Sequence, residues 1–110
     1  MGRARLMDIF DVYIAYVSWG SGGKRRPVLI LEENGDDVTV FNITTRYEGK
    51  GEAIRAKYFI INDWRQAGLD KPSYVDTNST VTLPLTAVDS KNPIGKLTAA
   101  DEQRLIGFIS

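Results

Sequence analysis

The chain has 110 residues, of which 43% are hydrophobic and 25% charged, and its formal charge at pH 7 is zero. That size suits one compact domain spanning 1–110 with one core, and the balanced charge excludes a global field toward nucleic acid or an acidic membrane, so any such attraction must be local. Histidine and cysteine are absent, which removes the usual general base, the thiol nucleophile, disulfides and zinc sites built on imidazole or thiolate, and leaves arginine, carboxylates and hydroxyls for any chemistry.

The apolar runs fall far short of the ~20 residues a membrane helix needs, and the N-terminus lacks an apolar core of signal-peptide length, so a cytoplasmic protein is expected. In chain order, "IFDVYIAYV" (9–17) is rich in β-branched and aromatic side chains and predicts a strand. It gives way to "SWGSGG" (18–23), read as a flexible loop that exposes Trp19 and Ser21. Next comes "KRRPVLIL" (24–31), in which Lys24, Arg25 and Arg26 concentrate positive charge before a strand that begins at Pro27, where a missing donor costs least. An Asn34-Gly35 turn and the strand "VTVFNITT" (38–45) complete a hairpin.

The register of that hairpin bears on chemistry. With Asn34 and Gly35 as a two-residue loop, Arg25 lies opposite Thr44; one bulged residue near the turn puts Arg26 there instead. Directly opposed residues have Cβ atoms about 4.5–5.5 Å apart, so in either register a guanidinium and the Thr44 hydroxyl reach one small anionic ligand. Taken alone, a basic run before a strand is equally a solvated guard on a sheet edge, and Thr44 an ordinary strand residue.

Farther along, "GEAIRAKYFI" (51–60) predicts another strand, and "NDWRQAGL" (62–69) a short helical turn capped by Asn62 or Asp63 and stopped at Gly68. Two strands, "SYVD" and "TVTLPL", are expected on either side of Asn78 and Ser79. The clearest helix is "KLTAADEQRLIGFI" (96–109), with Thr98 as N-cap, acids in its first turn and an apolar face of Leu105, Ile106 and Ile109. Tyr58 and Trp64 read as core aromatics. Arg46, Lys50, Arg55 and Lys57 either extend a groove that tracks a phosphate backbone or alternate along a solvated strand. Together these elements make a mainly β protein, a small antiparallel β-barrel with a C-terminal helix and one short internal helix.

"KRRPVLIL", "VTVFNITT" and the ending "IGKLTAADEQRL" together resemble the MazF/PemK toxins of bacterial toxin–antitoxin systems. The resemblance covers most of the chain from Asp8 onward. It implies a CcdB/PemK-like barrel, a homodimer, and a metal-independent endoribonuclease with no cofactor that cuts single-stranded RNA and is neutralised by a small antitoxin protein. Arg26, immediately before the proline, and Thr44, near the end of the later strand, match the family's catalytic pair. Around them Lys24, Arg25 and Arg46 are candidates for contacts to RNA phosphates. Ser21 and Trp19 are candidates from the preceding loop, Trp19 either stacking on a base or anchoring the loop. The "SWGSGG" loop is shorter than in many relatives, and "LPLTAVD" stands where many carry a glutamine-containing segment. A non-catalytic CcdB-like toxin that binds DNA gyrase is the alternative; the presence of both Arg26 and Thr44 argues for the enzyme.

Overall fold

The computed structural model describes residues 7–89 and 92–110. Six strands, β1 (Asp11–Trp19), β2 (Gly22–Asn34), β3 (Asp37–Thr44), β4 (Tyr58–Ile60), β5 (Tyr74–Pro84) and β6 (Gly95–Lys96), form one antiparallel sheet in the order β4-β5-β3-β2-β1-β6. Helix α1 (Glu52–Arg55) is a single turn and α2 (Ala99–Ile109) is the C-terminal helix. The sheet curls into a half-barrel whose end strands, β4 and β6, do not pair with each other, so the expected barrel is left open.

The apolar run in β2 explains why the sheet is buried on both faces. Successive side chains of a strand point to opposite sides, so Leu29 joins Val12, Phe41, Ile43, Phe59, Val75 and Leu105 on one side. Val28 and Ile30 join Tyr13, Ala15, Val17, Val38, Val40 and Leu83 on the other. Helix α2 covers the first face with Leu105, which is fully buried; such burial contributes about 1.5–3 kcal/mol per large aliphatic side chain. Ile106 and Ile109, expected on the same apolar face, are instead 43% and 46% exposed.

The open side of the half-barrel is bridged by the chain rather than by a ladder. Residues 62–68 form consecutive turns, with the expected helical turn reduced to a helix-type hydrogen bond from Ala67 N to Asp63 O. They end as a helix would: Gly68 N donates to Arg65 O and Leu69 N to Trp64 O, with Gly68 at φ +87°. There Gly68 and Gly95 meet backbone to backbone. A Cβ on Gly68 would lie 2.1 Å from the Ile94 carbonyl oxygen, and one on Gly95 2.2 Å from that of Ala67. The buried Asp101 carboxylate ties the same turns to α2 by accepting from the backbone N of Asn62 (3.3 Å) and Asp63 (2.8 Å) and from Arg104 (2.7 Å). Thr98 caps α2 as expected, accepting from Asp101 N.

Three further expectations need correction. The 18–23 stretch is no flexible loop: β1 and β2 pair through Ser18↔Gly23 and Trp19↔Gly22, leaving a two-residue turn. Gly22 and Gly23 are strand residues, and Gly23 makes room for an aromatic, since a Cβ on it would lie 2.5 Å from the Tyr16 hydroxyl oxygen. The 51–60 stretch is mostly not a strand. Gly51, Glu52 in the first turn and Arg55 in the last favour the single turn of α1, which supplies the short internal helix, and pairing starts only at Tyr58. The two strands expected around Asn78 and Ser79 are one continuous β5, whose residues between Asp76 and Val81 bulge out opposite Phe41 alone.

Candidate functional site

The geometry of the site follows from how β2 and β3 pair. Their turn is Gly35–Asp36, one residue later than expected, and Asn34 faces Asp37. A bulge at Leu31 then shifts the register by one, from Glu32↔Thr39 to Ile30↔Val40. Pairing stops at Val28↔Asn42, and continuing the count by two positions sets Arg26 opposite Thr44, the second of the two registers read from the sequence.

Pro27 explains why the ladder ends there. On the β1 side it faces Ile14, whose carbonyl is turned away toward Asp89 N, so β1 requires no donor from Pro27. On the β3 side the lost N–H ends the exchange. Pro27 therefore sits inside β2 and not at its start, and the strands part beside it. The resulting cleft, about 160 Å³, is lined by Lys24, Arg25, Arg26, Pro27, Ile43, Thr44, Thr45, Arg46 and Ser73.

Each polar group in the cleft has a defined state. Thr44 Oγ1 accepts from the backbone N of Arg46 at 3.0 Å, which engages one of its two lone pairs and leaves its own hydrogen to donate. Arg26 is half-buried, and its Nε is buried without a partner. Arg25 differs: its guanidinium is paired with the Asp89 carboxylate. With 64% of the Arg25 side chain exposed, solvent screens that pair to about 0–1 kcal/mol, an amount a competing anion overcomes.

The cleft continues across the sheet as a polar face. Thr44 pairs with Tyr74, Asn42 with Asp76, and Asp76 with Tyr58. Asn42 Oδ1 and Arg55 Nε, like Arg26 Nε, are buried without partners. Burial above all, and then the Asp76 carboxylate, push the Tyr58 hydroxyl above its usual range, while the Arg26 guanidinium pulls it down. The Tyr58 ring belongs to the packed interior, as expected, but its hydroxyl lies in the field of Arg26 and Asp76. Beyond Tyr74, the Tyr47 ring stacks on it at 4.5 Å between centroids and 15° between planes.

No family model and no curated protein matches the chain. Among solved structures it is similar to the Mycobacterium tuberculosis toxin MazF-mt6, with 31% identity over 90% of this chain and 91% of that one and a TM-score of 0.68. The chain belongs to the MazF toxin family. It is also similar to a second structure, described as an Mtb toxin, at 29% identity over 90% of this chain and 94% of that one, with a TM-score of 0.61.

In this MazF-family fold, Lys24, Arg25, Arg26, Thr44 and Arg46 come together around one cleft. Trp19 and Ser21 do not: both are exposed at the tip of the β1–β2 hairpin, with Trp19 53% exposed. Thr45 and Ser73 are hydroxyl groups on the cleft wall that the sequence reading did not single out. Asn42 and Asp76 were also passed over. Their signal was present in the alternation of "VTVFNITT", where Asn42 shares a face with Val40 and Thr44, but the neighbour of that face is set by the bulged pairing of β3 with β5. Among the described residues, no group of three or more acidic side chains gathers as a metal-holding set, and no helix is long and apolar enough to cross a membrane.

Proposed function

We propose that this MazF-family chain is an endoribonuclease that cuts single-stranded RNA, with Arg26 and Thr44 as its catalytic residues. The observation that carries this reading is the meeting, in one cleft, of the Arg26 guanidinium with the Thr44 hydroxyl, whose hydrogen is left to donate. A scissile phosphate supplies acceptors for both. RNA brings its own nucleophile: the 2′-hydroxyl gives up its proton to solvent as its oxygen attacks the adjacent phosphorus. The P–O5′ bond breaks, the departing O5′ takes up a proton from solvent, and the products end in a 2′,3′-cyclic phosphate and a 5′-hydroxyl. Charge accumulates on the non-bridging oxygens as the attack proceeds. Arg26 stabilises that charge with a planar fork of donors that matches two oxygens, and Thr44 donates to a third or orients the attacking hydroxyl. Lys24 and Arg46 hold neighbouring phosphates. This route needs no metal.

The same reading includes an acidic antitoxin protein and a second copy of the chain as partners. The Arg25–Asp89 pair supports the first, since a carboxylate already occupies Arg25 and an acidic segment could take its place. Ile60 and Phe108, exposed and sharing one hollow with Arg104, support the second as an apolar surface for a homodimer. Sedimentation that finds only monomer at micromolar concentration contradicts the dimer. Incubating the protein with a long RNA in EDTA and mapping the cut ends tests the enzyme: cleavage with cyclic phosphate ends is expected, and an intact RNA removes the proposal.

A further inference from the structure

Beyond the catalytic cleft, the structure holds an aromatic pair that the fold does not require. Tyr47 lies in the turn after β3, among exposed residues from Thr45 to Lys50, and neither it nor Tyr74 belongs to the two buried clusters. Yet the two rings are nearly parallel and in contact. Tyr58 adds a tilted ring 6.2 Å from Tyr47, and the Arg55 guanidinium lies 5.6 Å from the Tyr47 ring centre, with its Nε buried and unpartnered. An ordered aromatic stack at the edge of a polar turn costs conformational entropy, and only its contact with Tyr58 ties it to the interior.

The position of the pair says what it could receive. Tyr74 is the direct cross-strand partner of Thr44, which places their Cβ atoms about 4.5–5.5 Å apart. A hollow of about 440 Å³ lined by Tyr47, Tyr74, Glu48 and Lys50 adjoins the catalytic cleft, the two sharing Thr45 and Arg46 as walls. The hollow is nearly three times the volume of the cleft, too large for a phosphate alone. It combines ring surface with cations, the combination by which proteins hold single-stranded nucleic acid, bases against aromatic faces and phosphates against Lys and Arg.

We infer that the Tyr47–Tyr74 pair is a stacking subsite for the nucleobase next to the phosphate held at Arg26 and Thr44. The inference rests on the single-stranded RNA reading for its ligand, but not on catalysis. Arg46, on the shared wall, lines both sites, and its backbone N orients Thr44. Arg55 supports the back of the platform through its cation–π contact with Tyr47.

The test is binding of a single-stranded DNA oligonucleotide, which lacks the 2′-hydroxyl and cannot be cut by the proposed route, beside an abasic sugar-phosphate strand of equal length. Loss of one base–aromatic stack corresponds to about 5- to 150-fold in affinity. Tyr47→Ala is therefore expected to weaken the base-bearing strand within that range and to leave the abasic strand unchanged, while Tyr47→Phe binds both as the parent does. Tyr74→Leu, which preserves an apolar strand residue and leaves the turn unchanged, should repeat the Tyr47→Ala pattern, and its failure to do so would trace the Tyr47→Ala loss to a disturbed turn and overturn the subsite. Equal losses on both strands, or no loss on either, overturn the subsite. If RNA is cut normally and Tyr47→Ala binds the base-bearing strand like the parent, the subsite fails and the nuclease reading stands. If RNA is never cut but the base-selective loss is observed, the subsite stands and the nuclease reading fails.

Discussion

Arg26 occupies a position in which function and stability pull in opposite directions. Its Nε is buried and unpartnered, and a buried donor without an acceptor costs about 1–3 kcal/mol. Replacing Arg26 with Ala removes that penalty along with the charge, so the melting temperature should hold steady or rise, by up to roughly 4–8 °C per kcal/mol recovered in a domain of this size. Cleavage should move the other way. Loss of one preorganised donor to a developing oxyanion lowers the rate about 10²–10³-fold. Arg26→Lys should restore charge without the fork and remain well below the parent. The assay is single-turnover cleavage of a labelled RNA, read beside thermal unfolding of the same preparations. A variant Arg26→Ala that cuts as fast as the parent refutes the catalytic assignment. One that loses many degrees of stability shows instead that the guanidinium supports the fold.

Thr44→Val keeps the shape of the side chain but removes its donor, and is expected to slow cleavage about 10- to 100-fold, the scale of a hydrogen bond to a charged group; Thr44→Ser should cut nearly as well as the parent, and equal rates for all three would remove Thr44 from the mechanism. Gly68→Ala combines a left-handed φ with an overlap at 2.1 Å against the Ile94 carbonyl oxygen, and should destabilise by on the order of 3 kcal/mol or more, measured as a lowered denaturant midpoint. A midpoint equal to the parent's would mean that the bridge between the two ends of the sheet is not held at that contact.

The sequence disclosed strands more readily than the way they meet. The aliphatic run after Pro27 and the alternation of 38–45 mark β2 and β3 because their side chains are buried by residue type alone. The residue opposite Thr44 was narrowed to Arg25 or Arg26, and the later turn at Gly35–Asp36 together with the bulge at Leu31 set it as Arg26. A bulge has no composition of its own, so it could be allowed for but not located. The 18–23 stretch was misread for a related reason. Glycine and serine signal a loop when nothing packs on them, but Gly22 and Gly23 are strand residues opposite Trp19 and Ser18, and Gly23 accommodates the Tyr16 ring. Trp19 and Ser21 were read as loop candidates for the substrate, Trp19 equally as a loop anchor; both lie exposed at the hairpin tip and neither lines the cleft.

Tyr47 and Tyr74 were legible only as aromatics, because their contact depends on pairing between strands far apart in sequence. The opening between β2 and β3 depends on the same long-range geometry. In a continuous ladder the backbone groups around Arg26 and Thr44 would be consumed by each other, and the two side chains would be neighbours on a closed surface. Pro27 withholds the donor that would extend the exchange past Val28↔Asn42, while β3 remains anchored on its other edge through Thr44↔Tyr74. One strand can therefore part from the other without losing its place in the sheet. The arginine and the threonine line one cleft because register fixes them, and the room for the phosphate of the proposed reaction exists because a single residue without an N–H ends the ladder beside them.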